Sequence, residues 1–118
     1  MDLVDKAVDI KGKKYVLVSD RVLSLSGTKY SIETEVLPSA ESTWVVKATL
    51  TTESGVYTGH AQEVIGDGYI NKTSALENAE TSAVGRACAM AGIGVIDSIA
   101  SVDEINKANN RNTEDVPF

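Results

Sequence analysis

Thr43-Trp44-Val45-Val46-Lys47-Ala48-Thr49-Leu50-Thr51 decides the fold of this chain. Apolar side chains fall on every second residue: Trp44, Val46, Ala48 and Leu50 share one face, and Thr43, Val45, Lys47, Thr49 and Thr51 share the other. A period of two is the signature of a strand with one face buried. Thr52-Glu53-Ser54-Gly55 then supplies a short turn, and Val56 to Val64 returns as a second strand, so the pair reads as a hairpin.

Upstream, Tyr30 to Leu37 alternates in the same way. Tyr30, Ile32, Thr34 and Val36 face one side; Ser31, Glu33 and Glu35 face the other. Pro38 and the polar run to Ser42 end that strand. Downstream the period changes. Ser74 and Glu77 have capping-box spacing, and Leu76, Ala79, Ala83, Ala87 and Met90 recur three or four residues apart, which predicts a helix to about Ala91. Its stripe of small residues lets it lie close against a sheet. Gly92 suits a left-handed position after the helix, and Gly94 adds a second break. Ser19-Asp20 predicts the cap of a short helix over Arg21 to Leu25, ended by Gly27. Ser101 and Glu104 repeat the capping spacing and predict a last short helix to about Lys107. The expected fold is α+β: a three-stranded antiparallel sheet packed against one long helix, with short flanking helices.

The chain has 118 residues, enough for one domain. Residues 1–108 are expected to form it, with 109–118 a flexible acidic tail. Only six aromatics are present, so the core rests on Val, Ile, Leu and Ala. The net charge of −6 does not favour a phosphate ligand. The charge is uneven, however: Lys6, Lys11, Lys13, Lys14, Arg21 and Lys29 lie in the first quarter, and acids gather after residue 97. The single cysteine, Cys88, excludes an internal disulfide and reads as a small buried hydrophobe. No apolar run is long enough to span a bilayer and no signal-peptide core is visible, so the expected location is cytoplasmic, in a host cytoplasm if the chain is phage-encoded.

Enzymatic signatures are missing. One His, His60, and one Cys do not make a zinc site, and no phosphate loop or nucleophile elbow appears. Glu33 and Glu35 share a strand face without a third ligand, so they read as a solvated face. The expectation is a protein that is not an enzyme and has no metal or cofactor.

Four segments resemble the single-strand annealing family that includes the eukaryotic recombination mediator, with phage annealing proteins as distant members. They are Lys14-Tyr15-Val16 through Arg21-Val22-Leu23-Ser24-Leu25, then Tyr30-Ser31-Ile32, the hairpin from Trp44 to Val64, and Lys72-Thr73-Ser74-Ala75-Leu76 through Ala83-Val84-Gly85-Arg86-Ala87. The resemblance covers roughly residues 14–95. It implies a three-stranded sheet on a long helix, sequence-independent binding of single-stranded DNA, strand annealing in recombination or replication, and a ring or filament of copies. By position it assigns DNA contacts to Arg21 and Arg86. The family has a cluster of cations beside the helix arginine; here the neighbours are Gly85 and Ala89, which lowers the expected affinity.

The residues by themselves add Lys47, on the strand face opposite Trp44, Lys72 just before the long helix, and Tyr69 as a stacking platform beside it. Arg21, Lys47, Lys72 and Arg86 are thus expected to line one groove, with Tyr69 placed to stack on a base. The end of the chain, Glu114-Asp115-Val116-Pro117-Phe118, resembles the acidic tip of bacterial single-stranded DNA-binding proteins, which implies recruitment of replication or repair proteins. Two rival readings stand beside this one. A barrel-type single-stranded DNA-binding protein would explain the tip, and an acidic protein-interaction module would explain the net charge.

Overall fold

The computed structural model describes residues 2–66 and 74–106. Element order is α1 (Leu3–Lys6), β1 (Val8–Ile10), β2 (Lys13–Tyr15), α2 (Val18–Leu23), β3 (Tyr30–Leu37), β4 (Thr43–Thr52), β5 (Gly55–Val64) and α3 (Ala75–Met90). A last helical stretch covers 102–106. β3, β4 and β5 form an antiparallel sheet in that order, and β1 and β2 form a separate hairpin. The α+β fold is the expected one, and β3 has the expected bounds.

The register places Ile32 opposite Leu50, Leu50 opposite Tyr57, and Ala48 opposite Gly59. Val46, Ala48 and Leu50 are buried beneath Ala79, Ala83, Ala87 and Cys88 of α3. The helix lies close because both partners are small there. A Cβ on Gly59 would come within 2.4 Å of the Ala87 nitrogen and 2.5 Å of the Ala83 oxygen. α3 covers β4 and β5 and touches β3 only lightly. Met90, expected in the buried stripe, is instead 50% exposed, and Cys88 takes an inward place near the helix end.

The helix ends are built in three ways. After α3, Gly92 adopts φ +84, its N–H donates to the Ala89 carbonyl, and the Ile93 N–H donates to that of Cys88. This paired closure is the Schellman motif. Ser74 takes the N-cap position of α3 but makes no side-chain cap hydrogen bond, so the expected capping box is not formed. In the last helix the Ser101 Oγ does accept from the Glu104 N–H at 3.3 Å.

α2 corrects its expectation. It starts at Val18, with Ser19 and Asp20 inside its first turn and Leu17 as N-cap. The cap comes from far away in sequence: the Asp103 carboxylate accepts from the Val18 N–H at 2.8 Å. Residues 94–104 are fastened along this side of the molecule. Val102 N–H donates to the Val16 carbonyl, and the Lys14 N–H donates to the Asp97 carboxylate at 2.7 Å. The β1–β2 hairpin was not expected. Its turn, Lys11-Gly12, has both φ values positive, +53 and +84, the geometry that matches strand twist in a two-residue hairpin.

Candidate nucleic-acid interface

Arg21 lies in α2, but its side chain points into the protein and is 0% exposed. Its Nη1 donates to the Gly85 carbonyl at 3.0 Å, and its Nη2 donates to Ala100 at 3.2 Å and Gly94 at 3.4 Å. Gly94, at φ +75, leaves the room: a Cβ there would lie 2.8 Å from the Arg21 Cγ. Burial lowers the guanidinium pKa from its ordinary value, while Cys88, Glu104 and Asp103 favour the charged form. A phosphate outside the fold does not reach this group. The expected DNA contact at Arg21 is therefore corrected: the arginine ties α2, α3 and the 94–104 segment together by supplying donors to one buried and two part-buried carbonyls.

Arg86 flanks the buried stripe of α3 rather than lying opposite it: its Cβ sits against Gly59 of β5, and 40% of its side chain is accessible. It is not alone. Its Nη2 lies 3.2 Å from the Glu104 Oε2, and the other Glu104 oxygen is buried without a partner. Lys47 stands on β4 between Val46 and Ala48, so it projects from the sheet face away from α3. Across the strands it faces Glu35 and His60. Lys47 and Arg86 therefore occupy opposite sides of the sheet, and they do not share the expected groove. The physical reason is the alternation itself. A helix packed on Val46 and Ala48 excludes Lys47 from its side.

Tyr69 and Lys72, and the tip Glu114, Asp115, Val116, Pro117 and Phe118, lie outside the described residues. Glu33 and Glu35 are exposed on the open sheet face. Among the described residues no group of three or more His, Cys, Asp or Glu is placed to hold a metal ion.

Three lysines that the sequence shows only as part of a basic first quarter are exposed on the surface. Lys11 and Lys13 are exposed on the β1–β2 hairpin without an ion-pair partner among the described residues, beside Lys14, which pairs with Asp9 at 3.6 Å. Lys29 is exposed at the start of β3. The Lys11-Gly12 dipeptide signals the hairpin turn, but strands of three residues are too short to show a period.

A family model described as Slr1353 N-terminal dsRNA-binding domain-like matches residues 27–91, more than half of the chain. The chain belongs to this dsRNA-binding domain-like family. The matched span runs from the turn before β3 to the C-cap of α3, so the family is defined by the sheet and the helix packed on it. Lys29, Lys47, Tyr69, Lys72 and Arg86 fall within the span; Arg21 and the β1–β2 hairpin lie outside it. The family is one of nucleic-acid-binding-like domains, and the match does not extend to single-strand annealing proteins. No curated protein and no solved structure matches the chain. Among the described residues no helix is long and apolar enough to cross a membrane.

Proposed function

We propose that the chain is a non-enzymatic nucleic-acid-binding module that holds its ligand chiefly through the phosphate backbone. Membership of the dsRNA-binding domain-like family carries this reading. The chain's cations support it: Lys11 and Lys13, exposed on the hairpin, Lys29, exposed at the sheet end, and the half-buried Lys47 on the open face and Arg86 on α3. They are few and spread over several surfaces, and the net charge is −6. Binding by one copy is thus weak and strongly salt-dependent, and a ring or filament of copies would multiply the contacts.

The ligand we favour is single-stranded DNA, with annealing of complementary strands in recombination or replication as the outcome. The likeness of the Arg86 helix and the Trp44–Val64 hairpin to annealing proteins supports it. A phage origin fits that likeness. The tip Glu114-Asp115-Val116-Pro117-Phe118 would then recruit replication or repair proteins through its aromatic and acids. Duplex RNA is the second reading, because the family's own description points to it. Domains of that kind recognise a duplex by its shape and backbone.

Fluorescence anisotropy with single-stranded DNA, duplex DNA and duplex RNA of equal length, over a salt series, separates these readings. The expected result is tightest binding to single-stranded DNA, falling with salt, with complementary strands annealing faster in the presence of protein. Tightest binding to duplex RNA would replace the ligand but keep the module. No binding to any of the three at low salt, by folded protein, would leave the acidic protein-interaction module as the account.

A further inference from the structure

A cleft of about 410 Å³ opens where β3 begins and the β4–β5 turn closes. Lys29, Tyr30, Ser31, Thr51, Thr52 and Glu53 line it. A second hollow of about 320 Å³ shares Lys29, Thr52 and Glu53 with it and is floored by Leu25 and Ile93. Tyr30 belongs to the helix-facing side of β3, yet it is 41% exposed. The cause is the placement of α3, which lies over β4 and β5 and leaves this end of β3 uncovered. The Tyr30 hydroxyl makes no hydrogen bond among the described residues, and neither does the Lys29 ammonium. The turn beside them is held in shape. Thr52 Oγ1 lies 2.9 Å from Ser54 Oγ, which lies 3.1 Å from the Tyr57 hydroxyl.

An uncovered ring, a lysine next to it, hydroxyls and one carboxylate form a set that suits a nucleotide. The ring offers a face for a base, and an ammonium offers charge for its phosphate. The carboxylate accepts hydrogen bonds only, so it favours a base that carries an exocyclic amino group. We propose that this cleft takes one unstacked nucleotide of a bound single strand, its base on Tyr30, its phosphate at Lys29, and its amino group toward Glu53. The site rests on the nucleic-acid-binding reading above and gives it a base preference: cytosine over thymine.

The test measures anisotropy of labelled oligo-dC and oligo-dT with the full chain and with Tyr30→Ala, Tyr30→Phe and Glu53→Gln. Oligo-dC is expected to bind several-fold tighter than oligo-dT. Tyr30→Ala is expected to weaken both on the order of tenfold, Tyr30→Phe to keep the affinity, and Glu53→Gln to narrow the difference between the two strands. Wild-type binding that is unchanged in Tyr30→Ala overturns the cleft and leaves the module standing. No strand binding by folded wild-type protein overturns both. Free deoxycytidine monophosphate that competes as well as a dC strand would make this a site for a free nucleotide and overturn the strand version. Photocrosslinking of wild-type protein to an iododeoxycytidine-substituted strand is independent of any variant's folding. It is expected to mark the peptide containing Tyr30, and marks confined to other peptides overturn the proposal.

Discussion

Arg21 holds its charge inside the protein with three backbone carbonyls as partners and no carboxylate in direct contact. Replacing it with methionine keeps much of the volume but removes every donor, so the carbonyls of Gly85, Gly94 and Ala100 lose their partners. A loss of about 3 kcal/mol is expected, read as a lower midpoint in thermal unfolding by circular dichroism. A midpoint equal to the wild type would show that these carbonyls do not need the guanidinium. Gly59 sets the helix–sheet distance, because the atoms a side chain would meet belong to the α3 backbone and do not turn away. Gly59→Val is expected to cost about 3 kcal/mol or more, by the same measurement. Cys88 is buried, and burial raises its pKa, opposed by the charge of Arg21. A folded pKa above the unfolded one gives stability that is complete below the unfolded thiol pKa, and is lost as pH rises toward the folded value. Stability is therefore expected to fall above about pH 8.5, and urea titrations should show a shallower fall in Cys88→Ala.

Among the elements, β3, β4 and β5 were legible because each carries its own period of two, and α3 because its small residues recur at helical spacing. Gly92 marked the end of α3 for a local reason, its positive φ. α2 was misplaced because its cap is not local. Ser19 looked like the cap, but the Asp103 carboxylate does the work from the other end of the chain. Asp103→Ala is expected to cost about 1 kcal/mol, whereas Ser19→Ala, at an exposed first-turn position, is expected to change stability by less than about 0.5 kcal/mol. Comparable losses in the two variants, by urea denaturation, would restore Ser19 as the cap.

On the scale of the whole molecule, the sheet divides the cations. Lys47 stands on its open face and Arg86 on the helix side, so a single narrow groove does not join them. Under the backbone-binding reading, Lys47→Ala and Arg86→Ala each are expected to weaken binding about evenly across sequences. Each should lower the slope of log affinity against log salt by about 1. A variant with an unchanged slope would place that residue off the nucleic-acid path. Arg86 has a further constraint, since any phosphate reaching it competes with Glu104 at 3.2 Å. Glu104→Gln is accordingly expected to tighten binding in the same titration.

What the sequence by itself determined was the set of elements whose signal is local: three strands, one long helix and its glycine end. These follow from alternation and helical spacing, which neighbouring residues establish without the rest of the chain. Only the tertiary structure decided the fate of Arg21, the cap of α2, the uncovered end of β3 at Tyr30 and the separation of Lys47 from Arg86. Each depends on which face α3 covers and on where residues 94–104 return. Those contacts join positions more than sixty residues apart, between Arg21 and Gly85 or Val18 and Asp103. Nothing in either local stretch announces its partner, and the packing of small residues brings them together.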